Sequence, residues 1–289
     1  MIFLTMHWRT KVRNDILQGI CKQLDVTFVK GLGTGAFKEV FLVKQEEQEL
    51  ALKVASLSGD LKERYKRETI ALQGCSHPAI SRIHRISELR ESGEDYWCIL
   101  EEYLPFGTLS NRITNSPLNL NEVRSLGVKL AGAISHLAER KFVHRDIKPD
   151  NIIFRTEDEP VLTDFGLVRI LGEESLTQDF LRQGPGTPRY AAPEQLDNDK
   201  GSIDWRTDQF GLCLVLAELV LGHHAFCESQ NDLVHNAILA VVSRRQVPAV
   251  NQNTLCSLGF ACLVKGLSPW PVQRYRTPDQ LIAALNKRI

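Results

Sequence analysis

The sequence predicts an α+β chain of two lobes. Residues 26–104 are expected to form a five-stranded antiparallel sheet with one helix, and residues 105–289 a mainly helical lobe. Residues 1–25 are expected as an N-terminal helical extension. Three observations lead there. Short β-rich runs separated by polar turns begin at Val26, a single hinge-like Pro105-Phe106-Gly107 follows them, and helical periodicity dominates thereafter. A cleft is expected where two such lobes meet, and clefts of that kind are favoured ligand sites.

Ile16, Leu17, Ile20, Cys21 and Leu24 fall on one helical stripe that should pack on the following domain, with Asn14 or Asp15 as the cap. Strands are expected at Val26–Val29, Val40–Val43, Leu50–Val54, Ile80–Leu89 and Tyr96–Leu104, the second and third as a hairpin. Leu61–Gly74 reads as a charged helix. Further helices are expected at Glu122–Arg140, Trp205–Leu221, Asp232–Arg244, Thr254–Leu267 and Thr277–Asn286. The run Phe210–Gly222 carries Glu218 and falls short of the roughly 20 residues of a membrane span, so it reads as a helix buried on all sides.

Composition narrows the function. Thirty-five basic residues balance thirty-five acidic ones, so no global field favours nucleic acid or an anionic membrane. Met1–Met6 is too short for a signal core. Seven scattered cysteines without a CxxC pair read as reduced thiols in a cytoplasmic protein. His223-His224 has no cysteine pair or HExxH beside it, so it is expected in a surface loop rather than on zinc.

The chemistry concentrates in His144-Arg145-Asp146-Ile147-Lys148-Pro149-Asp150-Asn151. Asp146 is placed to orient and deprotonate a hydroxyl, Lys148 to neutralise a moving phosphoryl group, and Asn151 to hold a metal ion. Val161-Leu162-Thr163-Asp164-Phe165-Gly166 then adds a second carboxylate at the end of a short apolar strand. In this order and at this spacing the two stretches resemble the protein kinase superfamily, of Ser/Thr type. The compact form and the Arg274-Tyr275-Arg276-Thr277 ending are similar to bacterial-type members.

The resemblance implies an enzyme that moves the γ-phosphate of Mg-ATP (or Mn-ATP) onto protein Ser or Thr hydroxyls, its own included. Asp146 would be the base, Lys148 the γ-phosphate clamp, and Asn151 with Asp164 the magnesium ligands. Gly33 and Gly35 match the glycine loop, where backbone N–H groups reach phosphate because no Cβ intrudes. Lys53 matches the third-strand lysine, Val40 and Ala51 the apolar cover above adenine, and Ile153 the residue below it. Lys38 stands where a third glycine is usual; it reads as exposed on the loop, the other reading being a cation leaning over the phosphates.

Glu68 is assigned as the partner of Lys53 on register, because Leu72 and His77-Pro78 follow at the family's spacing and not after the rival Glu63. The Glu102 carbonyl and the Leu104 amide would meet the adenine edge. Glu101 then takes the gatekeeper position, where an apolar residue or threonine is commoner. A buried carboxylate there needs a partner, so Glu101 pairs within the pocket or the register is off by one.

Later motifs extend the match. Thr187 in Gly186-Thr187-Pro188-Arg189-Tyr190 would hydrogen-bond Asp146 and Lys148, Glu194 would pair with Arg274, and Asp208 would cap the catalytic loop. Arg145 is of the kind that binds a phosphorylated activation loop. Ser175 and Thr177 are candidate hydroxyls there, but Gln183 stands at the usual phosphothreonine position, and Glu173, Glu174 or Asp179 would supply part of that charge. Ser175→Ala with Thr177→Ala is therefore expected to stay active in a transfer assay, and near-total loss would refute it. Two alternatives remain, a binding module without catalysis and a small-molecule kinase. The intact set Lys53, Glu68, Asp146, Asn151 and Asp164 argues against the first, and the Thr187 loop with Ala192-Pro193-Glu194 against the second.

Overall fold

The computed structural model describes residues 12–34, 38–56, 73–115, 117–165, 169–170 and 189–287. The described residues up to Gly74, with Ser81–Tyr103, form one compact unit; Cys75–Ile80 and the described residues from Leu104 onward form a second.

The first unit begins with α1 (Asn14–Leu24). Its buried side chains are the five of the expected stripe, but the cap differs. Arg13 holds the N-cap position without a side-chain cap bond, while Asp15 lies in the first turn and pairs with Arg13 at 2.9 Å. Strands β1 (Thr27–Thr34), β2 (Glu39–Gln45), β3 (Gln48–Ser56), β4 (Ile83–Glu91) and β5 (Glu94–Glu102) form one antiparallel sheet in the order β1-β2-β3-β5-β4. Period-2 alternation explains its two faces. Phe41, Val43, Leu50, Leu52, Val54, Cys98 and Leu100 turn toward α1 and form a core with its stripe. The opposite face carries Val40, Ala51, Lys53, Ile99 and Glu101. The β4–β5 turn places Ser92 and Gly93 both at positive φ, the left-handed geometry that suits a two-residue hairpin.

The second unit is built on α3 (Leu120–Glu139), which follows α2 (Leu109–Asn115). Asn119 and Glu122 close a reciprocal capping box at the start of α3, satisfying backbone N–H groups that the first turn leaves without helical partners. Short hairpin fragments follow: β6 (Phe142–Val143) pairs with β9 (Arg169–Ile170), and β7 (Ile152–Phe154) with β8 (Pro160–Leu162). Next come α4 (Pro193–Leu196), α5 (Trp205–Leu221), α6 (Val234–Val242), α7 (Ala249–Ser257), α8 (Ala261–Gly266) and α9 (Pro278–Asn286). Helix α5 is buried continuously from Thr207 to Ala217, polar Thr207, Asp208 and Gln209 included. Residues 218–221 are half-buried and Gly222 is exposed, so the run expected to be buried on all sides is covered only as far as Ala217.

Several expectations are corrected. The single helix over Thr254–Leu267 is two, α7 and α8, because Gly259 adopts a left-handed φ of 80° between them. Ile80 does not open β4; it bridges Leu162 in the second unit, and β4 begins at Ile83. Asp232 does not start a helix, because its carboxylate accepts N–H bonds from Glu228 and Ser229, which commits it to a turn. His224 is no surface residue: it is buried, with Nε2 against the Arg189 carbonyl at 3.0 Å and Nδ1 accepting from the Phe226 amide. Lys38 is half-buried rather than exposed, since it leads directly into β2, whose first residue Glu39 is already buried.

Burial sets a pH dependence. Desolvation is the leading cause that lowers the pKa of His77, His84, His136, His144 and His224 below the ordinary histidine value. The unfolded chain therefore takes up more protons as pH falls through about 6.5, and stability falls with it. Asp208, pushed up to about 7 chiefly by burial, acts in the opposite sense, because its folded form keeps a proton that the unfolded form releases. Among the described residues, five groups against one give the expected result, a melting temperature lower at pH 5.5 than at pH 7.5. An unchanged or higher value at pH 5.5 would contradict it.

Candidate active site

Within the first unit, strand register collects the expected nucleotide residues on one face. Gly33 lies opposite Val40, Val40 opposite Lys53, and Ala51 opposite Glu101. Lys53 is buried, and its ammonium lies 2.6 Å from Glu101 Oε2. Ser81 donates its hydroxyl to the same oxygen at 3.1 Å. Glu101 thus pairs with Lys53 across the sheet. Glu102 is held at the strand end: its amide donates to the Arg82 carbonyl, and its carboxylate accepts from the Arg82 amide.

In the second unit the loop after β6 is drawn around Asp146. Lys148 Nζ and Asn151 Nδ2 each lie 2.8 Å from Asp146 Oδ2, and Asn151 Nδ2 also donates to the Asp146 carbonyl. These bonds fix which way the buried Asn151 amide faces and leave Oδ1 as its acceptor end. Among the described residues, Asp146 Oδ1 takes no hydrogen bond, and the side chain is 24% exposed. Asp164 follows β8 with φ 65°, a left-handed conformation uncommon outside glycine. Its neighbour Thr163 is tied to Asn151, the Thr163 backbone N–H donating a hydrogen bond of 2.9 Å to the Asn151 carbonyl. His144 reaches the Thr163 carbonyl at 3.0 Å, and its ring packs edge-on against Phe165. Asp164 and Asn151 are therefore set by one shared network.

That loop is fastened from below. Asp208, on α5, accepts the His144 and Arg145 amides, both at 2.8 Å, one on each carboxylate oxygen. Arg145 has φ 68°, so its backbone donor is held where a regular strand would not place it. Gln195, on α4, donates to the Arg145 carbonyl at 2.8 Å. One residue before it, Glu194 forms a two-pronged bond to Arg274 at 2.7 and 2.9 Å, with both side chains buried. Tyr190 donates to Glu218 Oε2 at 2.6 Å, and Arg189 pairs with the other oxygen of that carboxylate.

Leu104 is buried, and Ile153 half-buried on β7 beside Val161. Gly35, Glu68, Thr187, Ser175 and Thr177 lie outside the described residues, as do Glu63, Glu173, Glu174, Asp179 and Gln183. Sequence reasoning missed Ser81 and Gln195. Neither has a motif of its own, and each contributes through a partner at least 20 residues away.

Hard oxygen donors suit magnesium, which keeps several waters and binds through one or two carboxylates plus phosphate. Among the described residues no group of three or more His, Cys, Asp or Glu could hold a metal ion as a closed cage. Asn151 Oδ1 and the Asp164 carboxylate are the donor types such a partly hydrated ion accepts.

Comparison with known proteins gives a consistent picture. The family model described as protein kinase domain matches residues 26–280. The serine/threonine-protein kinase PknK of Mycobacterium tuberculosis (strain ATCC 25618 / H37Rv) is 30% identical over 274 residues, covering 92% of this chain and 24% of that protein. PrkC of Bacillus subtilis is 28% identical over 262 residues (87% of this chain, 38% of that protein). PknF of Mycobacterium tuberculosis is 29% identical over 276 residues, or 91% of this chain and 56% of the relative. The chain thus spans only part of the length of each.

Proposed function

Because this chain belongs to the protein kinase domain family, we propose that it is a serine/threonine protein kinase acting on protein hydroxyls with Mg-ATP. One observation carries the reading: Lys148 and Asn151 converge on a single oxygen of Asp146. That arrangement leaves Oδ1 as the oxygen to receive the proton of an incoming hydroxyl. Lys148 is partly exposed and holds the other oxygen, Oδ2, where it can compensate charge on a transferring phosphoryl group. Asn151 and Asp164 would hold the magnesium ion, which when bound neutralises phosphate charge.

In the sheet unit, Lys53 would take the α- and β-phosphates. Gly33 and Gly35 would admit backbone donors close to them, while Val40 and Ala51 would contact the base, a role the family pattern also gives Ile153. Glu102 and Leu104 would offer backbone groups to the adenine edge, and Thr187 would shape the acceptor floor. The Ser/Thr preference follows the names of the relatives and Lys148, two positions after Asp146. A cytoplasmic setting accords with seven free cysteines. No described helix is long and apolar enough to cross a membrane.

Incubation with labelled ATP, Mg²⁺ and a generic basic protein tests the reading. Label on serine and threonine of the protein is the expected result. Neither transfer nor ATP binding would overturn it in favour of a binding module, and label confined to small metabolites would redirect it to a small-molecule kinase.

A further inference from the structure

We propose that Glu101 is a positioning residue for phosphate transfer, holding the Lys53 ammonium from within the sheet; the inference rests on the kinase reading above. The holder of Lys53 expected from the sequence, Glu68, lies outside the described residues. Glu101 belongs to β5, which is hydrogen-bonded to β3 along its length. Ala51 lies opposite Glu101 and Lys53 opposite Ile99, so Lys53 and Glu101 are diagonal neighbours on one face. At that separation long side chains on adjacent strands reach one another, and here they meet at 2.6 Å.

The pair is deeply placed: Lys53 is 8% exposed, Glu101 4% and Ser81 3%. Burying two charges is unfavourable unless geometry and further hydrogen bonds compensate, and an apolar residue at position 101 would serve packing equally well. The Ser81 hydroxyl provides that further bond, on the same Oε2 that receives the ammonium. A four-carbon lysine stem has many rotamers, and this arrangement selects one. An ammonium has three donors. With one directed to Glu101, two remain for phosphate oxygens, so the contact shares the lysine rather than withholding it. Glu101 acts through Lys53 and touches no reacting atom in this scheme.

The test is a double-mutant cycle on nucleotide binding and turnover, run well below each variant's melting temperature. Mg-ATP affinity is measured by direct titration, and kcat, KM for ATP and KM for the acceptor protein by transfer assay. Glu101→Gln is expected to weaken Mg-ATP binding and kcat/KM for ATP by roughly 10- to 100-fold, the scale of a misplaced catalytic group, with KM for the acceptor unchanged. Ser81→Ala should give a smaller loss of the same kind, and Glu101→Asp should restore part of it. In a Lys53→Met background, Glu101→Gln should have no further effect on ATP affinity, a result that a purely structural role would not give.

Equal losses with and without Lys53 would overturn the proposal. Tighter ATP binding by Glu101→Gln would also overturn it, by showing that the pair withholds the lysine. Should Glu101→Gln not fold, Ser81→Ala and Glu101→Asp carry the same cycle, and a null result there is equally fatal. A wild-type chain that neither binds nor transfers overturns the kinase reading too, whereas an active wild type with a null cycle overturns this inference alone.

Discussion

Replacing Asp146 by asparagine is expected to lower kcat for phosphoryl transfer by about 10³-fold, within the range of a lost general base. The amide preserves the shape of the carboxylate and an oxygen at the Oδ2 position, so Lys148 and Asn151 keep an acceptor where each now lies 2.8 Å away. It removes the charge and the proton-accepting capacity of Oδ1. The signature is therefore a fall in kcat with KM for ATP and melting temperature close to wild type, measured by steady-state kinetics and calorimetry. Activity within about 10-fold of wild type would remove Asp146 from the chemistry. A collapse in melting temperature would instead assign the residue a structural role, because the loop around it would have depended on its charge.

The contrast between Asp146 and Glu101 shows what was legible in the sequence. Asp146, Lys148 and Asn151 lie within six residues, so one turn of chain brings them together and their spacing already encodes the cluster. Leu50, Leu52 and Val54 alternate with Ala51 and Lys53, which assigns each to a face of β3 before any packing is known. The partnership of Lys53 with Glu101 has no such trace. It arises because β5 inserts between β3 and β4 in the sheet, a neighbour relation that chain order does not state. Ser81 joins only because the chain from Ile80, which bridges to Leu162, passes it back toward β4. The break between α7 and α8 was hidden for a different reason. Helical apolar spacing persists across Gly259, and only its positive φ reveals the interruption. Local chemistry is thus readable, while contacts made by nonconsecutive strands and by backbone dihedrals are not.

The buried pair of Glu194 and Arg274 carries the largest expected effect on stability. Both side chains are fully buried, and Arg274 donates further bonds to the Ser268 and Arg206 carbonyls while Thr207 donates to Glu194. Arg274→Met leaves the Glu194 carboxylate without its cation in a site closed to water. Breaking a buried pair by removing one partner costs about 3–5 kcal/mol, a large part of the roughly 5–15 kcal/mol that holds a typical domain folded. Urea titration should show the transition midpoint displaced downward by that loss divided by the slope, with little change in the slope itself. The double variant Glu194→Gln, Arg274→Met should recover part of the loss, because no charge is then stranded. A single-variant loss below about 1 kcal/mol would mean that water or another donor takes over from the guanidinium. The effect should also reach the chemistry: Glu194 adjoins Gln195, which donates to the Arg145 carbonyl one residue before Asp146. Transfer by Arg274→Met, assayed below its melting temperature, is accordingly expected to fall through kcat, since the Gln195 fastening of the loop that carries the base loses its neighbouring support while Asp208 still holds the loop.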